Sequence, residues 1–180
     1  MTIRLLLLLL AVCSVPNLGL AQAQPAPYAG QQSRAIKALS DDDIAALLKG
    51  EGMGMAKAAE LNGYPGPAHV LSLAAQLKLT DAQRQQVQLI FDRMSASAKS
   101  LGGELVDRER MLDRQFAAGE ISADRLAQET AAIALLQGKL RSVHLGAHLE
   151  TRPILTPEQM TAYQRLRGYG SPGGRTHQHG

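Results

Sequence analysis

Five histidines are the side chains of this sequence best suited to chemistry, and their spacing sorts them into three groups. His144 and His148 lie one helical turn apart, a spacing that lets two imidazoles share a divalent transition metal such as zinc, copper, nickel or cobalt. His69 stands alone upstream, and His177 and His179 lie in a Gly- and Pro-rich end. Between the paired histidines come Leu145, Gly146 and Ala147, so the glutamate of a zinc-protease helix is missing and hydrolysis is not indicated. Met53 and Met55 are thioethers that suit a soft ion such as Cu(I), with a place in a joint or a core as the alternative. The glycines beside them, Gly50, Gly52 and Gly54, do not make a phosphate loop, because no strand leads in and no Lys-Ser/Thr comes after. No nucleophile stands beside a base. The expectation is a binding protein, not an enzyme, that requires no cofactor and for which a divalent metal is the candidate ion.

The elements that must position these groups begin after a leader. Arg4 and the apolar run from Leu5 to Val12 form the charged and hydrophobic parts of a secretory signal, with small residues suited to cleavage after Ala21 or Ala23. Residues 1–23 are read as this signal, since the run falls short of the ~20 apolar residues of a membrane span. The only cysteine, Cys13, lies within it, and Val12 occupies the position where a lipoprotein box wants a small residue. The mature chain is therefore expected in the periplasm without disulfides, its core built from Leu and Ala. The 19 basic and 16 acidic residues of the full sequence are interspersed, which argues against a nucleic-acid partner.

Residues 24–66 read as a flexible arm with one short helix. Gln22 to Lys37 lacks apolar periodicity and is expected to be disordered. Ser40 caps a peripheral helix with Asp41, Asp42 and Asp43 in its first turn and Gly50 at its end, and Gly50 to Gly54 is a flexible joint. Residues 67–168 read as one helical domain. Pro67 opens a helix to about Lys78 with Val70, Leu73, Ala74 and Leu77 on one face. Thr80 and Gln83 form a capping box at the head of a long helix, whose stripe runs from Val87 and Ile90 through Ala98, Leu101 and Leu105 to Phe116. Gly102 and Gly103 interrupt it as a bend or a close helix contact. Gly119 and Ser122 leave only a short turn before the returning helix from Ala123, so the two must lie antiparallel. Pro153 stops that helix, and Thr156 with Gln159 caps a last short one. Residues 169–180 read as a mobile tail.

The fold class implied is all-α: a long antiparallel hairpin with short flanking helices, a four-helix cradle, between a disordered arm and tail. The returning helix carries a second apolar line, Leu135, Leu145 and Leu149, nearly opposite its core face. A hairpin has one interior, so this line calls for the flanking helices or a second subunit, and a homodimer is favoured.

Two Leu-Thr-x-x-Gln units, Leu79-Thr80 to Gln83 and Leu155-Thr156 to Gln159, thus flank a helical hairpin behind a signal peptide. This arrangement, over about Pro67 to Gly168, resembles the periplasmic Spy/CpxP/ZraP family. The resemblance implies an often dimeric helical cradle acting in envelope stress, either as an ATP-independent holdase for unfolded or damaged envelope proteins or as the partner of a membrane sensor protein. The related CnrX-type heavy-metal sensors and resistance proteins use histidines on these helices, which implies His69, His144 and His148 as the candidate ligands here. Folding about the Gly119 to Ser122 turn brings His148 to the open end of the hairpin, and folding the Pro67 helix back at Lys78 to Thr80 brings His69 to about the same level, where the three can converge. The sensors' pattern is not fully matched: Leu73 stands one turn after His69, and the nearest acidic candidate, Asp92, falls on the far side of the long helix.

Overall fold

The structure is a computed structural model that describes residues 26–169. The expected leader with Cys13, and His177 and His179 of the tail, lie outside the described residues. Residues 27–30 form a turn, and the helical fold belongs to a separate unit that begins at Gln31.

Among the described residues there is no strand beyond one isolated bridge between Ile36 and Leu39, and six α-helices carry the fold. Hydroxyl caps start four of them. Ser40, Thr80, Ser122 and Thr156 stand in extended backbone ahead of α1 (Asp41–Lys49), α4 (Asp81–Ala118), α5 (Ala123–Thr151) and α6 (Pro157–Leu166), each accepting an N–H from the third residue on. Two short helices, α2 (Lys57–Glu60) and α3 (Pro67–Ser72), lie between. Gly119, left-handed at φ 69°, ends α4 and turns the chain into α5, so the two long helices form the expected antiparallel hairpin.

The hairpin interior is built from Ala98, Leu105 and Val106 of α4 against Ile133, Leu136 and Leu140 of α5. A second core at the open end joins Val70, Leu77, Val87, Leu155 and Tyr163. Near the turn, Glu129 is buried between Arg108 at 3.1 Å and Arg125 at 2.7 Å, so a carboxylate that would be costly alone is matched by two guanidinium groups.

Four expectations are corrected. The arm is not free to its end: Ile36 is only 1% exposed within the hairpin core, and the Lys37 N–H and ammonium both reach Asp113. Nor is α1 peripheral, because Leu47 enters the same core and its carbonyl lies so close to Gly102 that a Cβ there would sit 2.2 Å from the oxygen. The third correction is that α3 ends at Ser72; residues 73–78 form successive turns and Lys78 takes φ 51°, yet Ala74 and Leu77 remain buried, Leu77 in the core with Val87 and Leu155. Last, the stripe of α4 does not stay buried to its end, since Phe116 lies near the turn beyond the core and is 55% exposed.

Candidate functional site

The two Thr-x-x-Gln units meet. Gln83 Nε2 donates to Gln159 Oε1 at 2.8 Å and Gln159 Nε2 donates to Gln83 Oε1 at 3.0 Å, a reciprocal amide pair across the open end. Each oxygen also accepts its own cap's N–H, from Thr80 at 3.0 Å and Thr156 at 2.9 Å. Each nitrogen donates once more, Gln83 to the Ile154 carbonyl and Gln159 to that of Leu77. Leu155 is buried in the adjoining core and Leu79 packs against it. The leucines anchor, the threonines cap, and the glutamines cap and clasp.

Beside this clasp lies a carboxylate that the spacing of residues does not single out. Glu60, at the end of α2 and 7% exposed, accepts the Tyr163 hydroxyl at 2.6 Å and Arg167 Nε at 3.2 Å on one oxygen, and the Gly66 N–H at 3.2 Å on the other. His69 Nδ1 stands 3.6 Å from the first oxygen and His148 Nδ1 3.7 Å from the second. His69 and His148 therefore do converge, and their acidic neighbour is Glu60, not Asp92, which is exposed and bonded by Gln88. His148 Nδ1 also lies 2.7 Å from the Tyr64 carbonyl; a carbonyl only accepts, so this nitrogen carries a proton. Its Nε2 faces Gly66, where a Cβ would come within 2.8 Å of it.

His144, one turn earlier, is 4% exposed and its Nε2 has no hydrogen-bond partner. Burial, then the proximity of His148, lowers its pKa; burial and Arg167 lower that of His69 against the opposing pull of Glu60. Burial, then the bond to Glu60, pushes the Tyr163 hydroxyl up, which keeps it a donor. Among the described residues no group of three or more His, Cys, Asp or Glu side chains is arranged to hold a metal ion.

Two hollows flank these groups. One of about 560 Å³ lies under the loop from Gly50 to Gly54, with His69, His144 and His148 on its lining. Met53 borders it, whereas Met55 packs on the hairpin core. The other is an open groove of about 910 Å³ between α4 and α5, with Ile90, Met94, Leu101 and Val143 among its walls. Small residues create it: Ala96, Ser97 and Ser100 face Ser142, Gly146 and Ala147. Arg93 and Glu150, paired across the two helices, stand at its edge with Lys139.

Residues 68–167 match the family described as LTXXQ motif family protein, more than half of the chain. The chain belongs to the LTXXQ motif family. That family includes Spy/CpxP/CnrX-like periplasmic proteins. No curated protein and no solved structure gives a match. Among the described residues of this LTXXQ chain no helix is long and apolar enough to cross a membrane. The matched span takes in the clasp, both long helices and the three histidines; Glu60 and the glycine loop precede it. The signal for Glu60 was slight: a single acid after Ala56-Lys57-Ala58-Ala59, shortly before the Pro65-Gly66-Pro67 turn.

Proposed function

We propose that this LTXXQ protein is a periplasmic, ATP-independent holdase or stress adaptor of the Spy/CpxP kind that binds unfolded envelope proteins or a membrane sensor protein, and performs no enzymatic reaction. The groove between α4 and α5 is the observation that carries this reading. Its apolar walls offer contact area to any exposed hydrophobic segment, while Arg93, Lys139 and Glu150 at the rim keep the surface soluble and accept either sign of charge. Such a surface selects by exposure of apolar groups and not by sequence.

The test is suppression of aggregation of reduced, unfolded α-lactalbumin without ATP. Gly146→Glu places a charge on the groove where a Cβ meets nothing within 4 Å, so the fold tolerates it. Wild type is expected to suppress light scattering and Gly146→Glu to lose most of that effect. Equal suppression by both moves the client surface elsewhere, and none by wild type ends the holdase reading.

A metal sensor or metal buffer is the second reading, favoured by the unpartnered nitrogen of His144 one turn from His148. Ligation needs neutral imidazoles, and burial lowers the pKa of His144 below the ordinary 6.5, so binding weakens only as pH falls below that value. Zinc is titrated into the full chain carrying His177→Ala and His179→Ala, with and without His144→Ala and His148→Ala. Equal affinity in the two, or no binding, removes this reading.

A further inference from the structure

We propose that the hollow beneath the glycine loop binds a small organic acid with an apolar body, an aryl or short-chain carboxylate. The site shares only Met94 with the lining of the client groove and does not depend on the holdase reading. Its volume of about 560 Å³ falls within the range of small-molecule pockets, and one side is apolar, with Phe91, Met94 and Pro67.

The polar side favours an anion. Lys49, Lys57 and Arg167 stand on the lining against two carboxylates, Glu51 and Glu60, and both of these are already engaged. Glu51 pairs with Lys49 at 4.0 Å, and Glu60 accepts from Tyr163, Arg167 and the Gly66 N–H. Lys57 has no carboxylate within ion-pair distance among the described residues, and its side chain folds back over the loop: a Cβ on Gly54 would lie 3.5 Å from its ammonium nitrogen. Arg167 spends Nε on Glu60 and Nη2 on Tyr169, which leaves donors over. Deeper in, His144 lines the wall and is only 4% exposed, with its Nδ1 edge toward Gly52 and its Nε2 buried without a hydrogen-bond partner.

The loop is shaped as a roof. Gly50, Met53 and Gly54 all take left-handed backbone, φ 69°, 44° and 77°, which curls the chain over the hollow. Met53 is not a glycine, so its conformation is held by the surrounding structure, as at ligand clamps. A metal ion explains this lining less well, because no three ligands are arranged to hold one while the apolar side would go unused.

The experiment is calorimetric titration of the full chain, in EDTA, with 2-naphthoate and with its neutral counterpart 2-naphthamide. Two variants accompany wild type: Lys57→Ala, at an exposed position, and Gly52→Leu, whose Cβ would sit 3.7 Å from His144 Nδ1 and whose side chain would fill the hollow. Thermal melts check that both fold. Naphthoate is expected to bind wild type about tenfold more tightly than the amide, to weaken severalfold in Lys57→Ala, and to be lost in Gly52→Leu. No binding of naphthoate, equal binding of the amide, or undiminished binding in either folded variant overturns the proposal.

Discussion

Gln83 and Gln159 need to be glutamines because each uses its amide oxygen and its amide nitrogen at once. A glutamate keeps the acceptor for the cap and loses both donors, leaving a carboxylate against carbonyl oxygens. Gln83→Glu is therefore expected to cost about 1–3 kcal/mol in urea unfolding, the penalty of breaking part-buried hydrogen bonds. Thr156→Ala removes only a cap and should cost about 1 kcal/mol. If Gln83→Glu is as stable as wild type, the clasp contributes nothing. Asp43 adds a pH dependence. Its bonds from Ser40 lower its pKa below the ordinary value of 3.8. The stability it contributes is present above 3.8 and is lost as pH falls through the depressed folded value. Asp43→Asn should flatten the acid limb of the melting curve between about pH 5 and 2; an unchanged slope would refute this.

Neighbouring glycines in one helix answer to different constraints. Gly102 is the point where α1 ends against α4, and any Cβ would press into the Leu47 backbone, which cannot swing aside as a side chain could. Gly103 faces open space. Gly102→Ala should thus destabilise by about 3 kcal/mol or more through overpacking, while Gly103→Ala should stabilise by about 1 kcal/mol through helix propensity. Paired thermal melts decide it, and equal shifts would mean α1 is not docked as described. This contrast was not legible in the helix's own residues, which mark both glycines alike. The caps, by comparison, were fully legible, because a cap depends on atoms within three residues of it.

At the scale of the whole molecule, the returning helix leaves Leu135 and Leu149 59% and 60% exposed, with Leu145 half-buried beside them. The flanking helices do not cover this line, so the expected homodimer remains the partner that would. The double variant Leu135→Glu, Leu149→Glu should leave the monomer fold intact and abolish self-association in sedimentation equilibrium. A wild type that stays monomeric at high concentration refutes the dimer outright.

By itself, the sequence determined most of what short-range spacing controls, the end of α3 at Ser72 excepted. Ser40, Thr80, Ser122 and Thr156 set where helices start, Gly119 and Pro153 set where the long ones end, and the stripe of α4 with its short turn dictates a hairpin. Only the tertiary structure decided which distant groups meet. The Gln83–Gln159 pair spans 76 residues and the Tyr163–Glu60 bond 103, and neither spacing leaves a periodic trace. It also decided that His69 and His148 share Glu60 while His144 is left without a partner for its Nε2. The physical reason is that caps and turns are satisfied within the backbone's own reach, whereas a buried carboxylate or amide takes whatever donors the packing of separate helices delivers to it.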